Sequence, residues 1–230
     1  MPAPIRRQVE DGLREMISEG RLTPGDRLVE RDLCERLGVS RPLLREAFRQ
    51  LYAEGLLSNV PGRGTVVSEL SIDDARETYE VRARLEAMAA ENFARSANET
   101  SMAKLEARTR AVQVAQECGD PLALRRAKND FYEVLVSGCG NAVLGQMLRL
   151  LHNRIQLLRT VTLNEPGRGR EAAAEIVAIF EAVNGRDDER ASMLSALHVR
   201  NGQRVMEATF AAHESRKKER NAVRPARGRS

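Results

Sequence analysis

Leu37-Gly38-Val39-Ser40-Arg41-Pro42-Leu43-Leu44-Arg45-Glu46-Ala47-Phe48 is the stretch on which the fold turns. Gly38 closes a short helical pattern, because the residue past a helix C-terminus often takes the left-handed conformation that glycine tolerates. Ser40 stands at the N-cap position of a helix expected to run to about Glu54, with Pro42 in its first turn, where a missing N–H does little harm. Leu44, Ala47, Phe48 and Leu51 share one face of that helix, and Arg41, Arg45 and Arg49 recur at i, i+4 and i+8 on another. Two short helices joined by a tight glycine turn read as a helix-turn-helix. On an arbitrary helix an arginine stripe is usually its solvated face. Here it lies near the N-terminal end of the second helix, where such helices meet base edges, and Arg can donate two hydrogen bonds to guanine O6 and N7.

Upstream, Ile5, Val9, Leu13, Met16 and Ile17 form a helix-period stripe over residues 4–18. Gly20 and the turn Thr23-Pro24-Gly25-Asp26 end it, and a second helix is expected from about Val29 to Leu37. Downstream, Leu56-Leu57-Ser58-Asn59-Val60 and Thr65-Val66-Val67 flank Pro61-Gly62-Arg63-Gly64, which reads as a β-hairpin. Its tip can bring backbone N–H groups and the Arg63 guanidinium to a phosphate or the minor groove. Residues 1–70 are therefore expected to form a winged helix-turn-helix.

After Ser71, a further N-cap, the pattern is helical throughout, with helices expected near 72–96, 99–118, 121–137, 141–161, 169–185 and 187–212. Hydrophobic residues make up 42% of the 230 and aromatics only 3%, so the core must rest on aliphatic side chains and Met. The expected fold class is mainly α, with a C-terminal all-helical bundle over 71–212. Residues 213–230 carry seven Arg and Lys against two Glu, enough to leave the remainder of the chain slightly acidic despite a net charge of +4. Almost devoid of apolar side chains, this basic tail is expected to be disordered. The overall charge is thus weak evidence of a polyanionic partner; the arginine stripe is better evidence.

Cys34, Cys118 and Cys139 are scattered and odd in number, which indicates neither a disulfide framework nor a zinc knuckle and fits a reducing cytoplasm. A secretory h-region and a membrane-length apolar run are both lacking. No nucleophile elbow, phosphate loop or clustered His and carboxylate set marks the chain as an enzyme.

The segment Leu22-Thr23-Pro24-Gly25-Asp26-Arg27-Leu28, then Leu37 through Phe48, then Glu54-Gly55-Leu56, resembles the GntR family of bacterial transcriptional regulators. That pattern is a P-G-x-x-L turn, G-V-S-R, R-E-A-L, E-G-L and a G-x-G wing; here Phe48 replaces the usual Leu and Leu43-Leu44 the common Pro-Val. The resemblance implies that Arg31, Ser40, Arg41, Arg45 and Gly62 occupy operator-contacting positions. Residues 72–212 resemble, more loosely, the helical FCD ligand-binding domain of the FadR subfamily. The carriers are Glu80-Val81-Arg82-Ala83-Arg84-Leu85-Glu86, Phe131-Tyr132 with Leu135, Gly140-Asn141, and Asn184-Gly185-Arg186-Asp187 with Ala191 and His198.

Many members of that subfamily bind a divalent metal through one Asp and three His. By the resemblance, two of those positions read Lys128 and Tyr132 here, a third reads Ile176, and His198 remains. Such a set does not supply the several deprotonated donors a transition metal requires, so neither a metal nor another cofactor is expected. Arg82, Lys128, Tyr132, Arg154 and His198 instead suggest a cavity that selects an anionic, carboxylate-type metabolite. Blander readings stand beside this one: His198 as a core histidine with one hydrogen bond, Arg82 paired with Glu86, Lys128 extended to water. The expected molecule is a homodimeric repressor of an inverted-repeat operator in double-stranded DNA, cytoplasmic and independent of membranes. The alternative is an architectural DNA-binding protein without a small-molecule ligand.

Overall fold

The computed structural model describes residues 3–162 and 167–222. The first unit comprises α1 (Ala3–Ser18), α2 (Glu30–Leu37), α3 (Arg41–Ala53) and the strands β1 (Leu57–Val60) and β2 (Gly64–Val67). Val9, Leu13, Met16 and Ile17 on α1 meet Leu33 on α2 and Leu44, Ala47, Phe48 and Leu51 on α3, all buried. Gly38 takes φ 64°, and its N–H and that of Val39 both donate to Cys34 O, which turns the chain sharply into α3. The strands pair antiparallel from Leu57↔Val67 to Val60↔Gly64, and Tyr52 at the end of α3 holds Thr65 of the wing by a 2.6 Å hydroxyl hydrogen bond.

The second unit holds α4 (Ile72–Ser96), α5 (Glu99–Glu117), α6 (Pro121–Ser137), α7 (Ala142–Thr162), α8 (Arg168–Asn184) and α9 (Asp188–Ala222). Ser71 and Asp74 close α4 reciprocally: Ser71 Oγ accepts from Asp74 N at 3.0 Å, and Asp74 Oδ2 accepts from Ser71 N at 3.3 Å. Phe93, Leu105, Val112, Phe131, Leu135, Ile176, Ile179 and Val183 form its main core, while Tyr79, Val199 and Met206 seal α4 against α9. Burying one such large side chain contributes about 1.5–3 kcal/mol, which is how a core poor in aromatics suffices.

One expectation is corrected and another is narrowed. The last helix was expected to stop at 212 and leave residues 213–230 disordered, but α9 continues through Ala222. Loss of apolar residues ends a buried face, not a helix, and Glu, Lys and Arg are strong helix formers; residues 223–230 lie outside the described ones. Ser40 was expected at the N-cap of α3, where its hydroxyl could cap the helix or contact a phosphate. It does occupy the N-cap position, with ψ 152°, but its side chain makes no capping hydrogen bond.

The two units touch through α1, α6 and α7. Leu157 of α7 is buried in the N-terminal core, Arg125 Nη1 donates to Ser18 O at 2.7 Å, and Arg126 pairs with Glu19 and, at 3.5 Å, with Glu15.

Candidate functional site

Two groups of polar residues stand out, one on the surface of the first unit and one inside the second. On the surface, Arg31, Ser40, Arg41, Arg45, Arg49, Gly62 and Arg63 are all exposed. The buried stripe of α3 faces α1 and α2, so its opposite side, with Arg41, Arg45 and Arg49, is turned to solvent. Several of these arginines are already held. Arg45 Nε donates to both oxygens of Glu30 at 3.1 Å, Arg49 pairs with Glu46 at 2.7 Å, and Arg31 pairs with Asp32 at 3.2 Å. At the wing tip Arg63 Nη2 donates to Gly25 O at 3.0 Å, a tie to the preceding turn that sequence alone did not suggest. The uncapped hydroxyl of Ser40 stays available to an outside acceptor. Arranged this way, a helix of groove-fitting diameter presents guanidinium groups on its outer face beside a β wing.

Inside the bundle, Arg82, Lys128, Tyr132 and His198 are all buried and converge from α4, α6 and α9. The Arg82 guanidinium carbon lies 5.6 Å from the Tyr79 ring centre and 5.9 Å from that of Tyr132; the Tyr132 and His198 rings are 5.9 Å apart. Arg82 Nε donates to Glu86 Oε1 at 2.6 Å, so the helical i, i+4 pairing is the one the structure adopts. Burial pulls Arg82 toward neutrality, but Glu86 and then Tyr79 outweigh it, and the guanidinium is held above its ordinary value. Arg154 does not join this group. It is exposed, and its charge is felt by Asp74 at the start of α4, whose carboxyl Ser71 chiefly holds low. This stretch of α7 faces the first unit and not the bundle interior, since Leu157, three residues on, is buried in the N-terminal core.

Sequence reasoning missed the residues that organise His198. Glu175 accepts from Arg168 through both oxygens at 2.9 and 2.8 Å, from Asn201 at 2.7 Å, and lies 2.5 Å from His198 Nδ1. Burial pushes the Glu175 carboxyl up, yet hydrogen bonds from His198 and Arg168 win and bring it down to about 2. Burial pushes His198 down to about 4; Glu175 opposes this, while Lys128 and Arg82 reinforce it. The imidazole is therefore neutral near pH 7. Ser195, one turn before His198, has a buried hydroxyl with no hydrogen-bond partner among the described residues. The only advance signals were helical spacings, Arg168 to Glu175 at i, i+7 and Ser195-His198-Asn201 at i, i+3, i+6, and neither names a partner on another helix.

Residues 5–67 match the bacterial regulatory proteins of the gntR family, and residues 77–201 match the FCD domain. The chain is a GntR-family transcriptional regulator with an FCD domain. It is 30% identical to the HTH-type transcriptional regulator YdhC of Bacillus subtilis over 86% of this chain and 88% of that protein. It is 28% identical to a probable D-xylose utilization operon transcriptional repressor of Paenarthrobacter nicotinovorans over 85% of both. The fold is that of Escherichia coli McbR/YncC, with a TM-score of 0.80 at 24% identity over 90% of this chain and 98% of that one. These are regulators and not enzymes. Among the described residues no helix is long and apolar enough to cross a membrane.

The divalent metal that the FCD resemblance implies does not fit the residues present. Lys128, Tyr132 and Ile176 stand at three of the four ligand positions that the resemblance implies, and the Glu175 carboxylate beside His198 is already saturated by Arg168, Asn201 and the imidazole itself. No group of three or more His, Cys, Asp or Glu suited to a metal occurs among the described residues. The side chain of His152 lies outside the described ones.

Proposed function

We propose that this regulator is a cytoplasmic, homodimeric repressor that binds an inverted-repeat operator and releases it in response to a small carboxylate. The observation that carries the effector reading is Lys128, buried on α6 beside a neutral His198, with Arg82 and Tyr132 facing the same interior. An interior that gathers Arg82, Lys128, Tyr132 and His198 suits a ligand that accepts hydrogen bonds and carries negative charge. Tyr132, His198 and the hydroxyl of Ser195 supply hydrogen bonds that fix a carboxylate's orientation. The same helix that carries Lys128 and Tyr132 also carries Arg125 and Arg126, which hold the C-terminal end of α1. An effector that binds two placements of α6 unequally thereby biases the DNA-binding unit, which is what linkage requires.

The homodimer reading rests on exposed apolar side chains. Val143, Met147 and Leu150 recur at i, i+4 and i+7 along one face of α7, and Val81 and Met88 lie a heptad apart on the neighbouring α4. Two copies joined there would carry two recognition helices, and a two-fold protein reads a two-fold site.

The test combines operator selection from random DNA with a thermal-shift screen of organic acids, run with and without chelator. The reading expects an inverted repeat, operator binding weakened in Arg45→Ala toward its non-specific level, and a carboxylate that raises the melting temperature of wild type but not of Lys128→Ala, unchanged by chelator. If no acid shifts the wild type, the ligand-free architectural alternative takes its place. A stoichiometric metal on His198 would overturn the metal-free sensor.

A further inference from the structure

Glu30 is the first residue of α2, and Arg45 sits in the second turn of α3, fifteen residues on. Arg45 Nε donates to Glu30 Oε1 and Oε2 at 3.1 Å each, a carboxylate seated on the flank of the guanidinium. Neither terminal amino group of Arg45 has a hydrogen-bond partner among the described residues. Arg49 contrasts with this, because its ion pair with Glu46 engages a terminal nitrogen, Nη1, at 2.7 Å. A guanine presents O6 and N7 side by side, and an arginine that meets it end-on uses its two terminal amino groups. The carboxylate therefore occupies the one part of the guanidinium which that contact does not need.

We propose that Glu30 is a positioning residue for base recognition: it holds Arg45 by Nε and presents the two terminal amino groups outward as a fixed fork. This rests on the reading that Arg45 meets a base edge. A free arginine loses rotamer freedom when it docks, and a side chain fixed beforehand loses less. A carboxylate at the DNA face also repels phosphate, so Glu30 should weaken non-specific binding while it aids the specific contact. Its bland role, an acidic residue favouring the N-terminus of α2, predicts a change in melting temperature and none in specificity.

A double-mutant cycle separates these, using operator DNA selected with wild type and an unrelated duplex of equal length at one fixed salt concentration. The measured quantity is the ratio of specific to non-specific affinity. Glu30→Ala is expected to lower that ratio about tenfold in wild type, the size of one impaired bidentate contact, and to leave it unchanged in an Arg45→Ala background. Glu30→Gln keeps an acceptor for Nε and is expected to retain most of the ratio. Equal gains in affinity for both duplexes with Ala and with Gln mean that Glu30 only repels phosphate, and overturn the proposal. So does an equal loss of ratio with and without Arg45. Should Arg45→Ala alone leave operator affinity intact, the recognition-helix reading itself falls and the proposal with it.

Discussion

His198 Nδ1 lies 2.5 Å from Glu175 Oε2, joining α9 to α8 inside the bundle. Burial holds the folded imidazole at about 4, against 6.5 in an unfolded chain, despite that carboxylate; Lys128 and Arg82 add to the depression. Between these values the unfolded chain binds a proton that the folded protein does not, so stability falls as pH drops from 6.5 to 4. Glu175 works in the same direction lower down: its carboxyl is at about 2 folded against 4.5, so its contribution is present above 4.5 and is lost toward 2. Urea unfolding of wild type and His198→Gln from pH 7 to 4 checks the upper window. The difference between them should vary with pH there; a constant difference would show that His198 does not titrate as placed.

Removing Glu175 should cost far more than removing His198. Arg168, almost fully buried, gives both terminal nitrogens to Glu175, and its other ion pair, with Glu171, is longer at 3.7 Å. Glu175→Ala strands a buried charge, which typically costs about 3–5 kcal/mol. Glu175→Gln keeps an acceptor and should cost less. Chemical denaturation of both variants at pH 7 measures the gap.

Gly138 ends α6 directly over the Phe93 ring. A methyl group there would lie 2.9 Å from Phe93 Cδ2, closer still to Cε2, and 3.2 Å from Val134 O. Phe93 is fully buried and has nowhere to retreat. Gly138→Ala should therefore destabilise by about 1–3 kcal/mol, although alanine favours helices. A calorimetric melting point equal to that of wild type would show that the ring gives way.

Leu150, 71% exposed on α7, should matter to self-association and not to folding. Leu150→Glu is expected to yield a monomer with wild-type helicity in sedimentation and circular dichroism. Val114→Glu on α5, at a comparably exposed apolar position, should leave the dimer intact. Dimer formation by Leu150→Glu at micromolar concentration would move the interface elsewhere.

The sequence by itself determined what depends on neighbours along the chain. Gly38, Ser71 and the i, i+3, i+4 stripes of Leu44, Ala47, Phe48 and Leu51 placed the helices within a residue or two, because caps and periodicity act over one or two turns. The same locality failed at α9, where the end of the apolar stripe was taken for the end of the helix. Lys128, Tyr132 and His198 were brought to notice by the resemblance and not by periodicity, which left Lys128 open to reach water; the structure buries all three. Only the tertiary structure decided which side chains meet across elements: Glu175 with His198 and Arg168, Glu30 with Arg45, Arg125 with the carbonyl of Ser18, and Arg154 away from the interior. Those partnerships depend on how whole helices cross, to which many residues contribute a little and none carries a local mark.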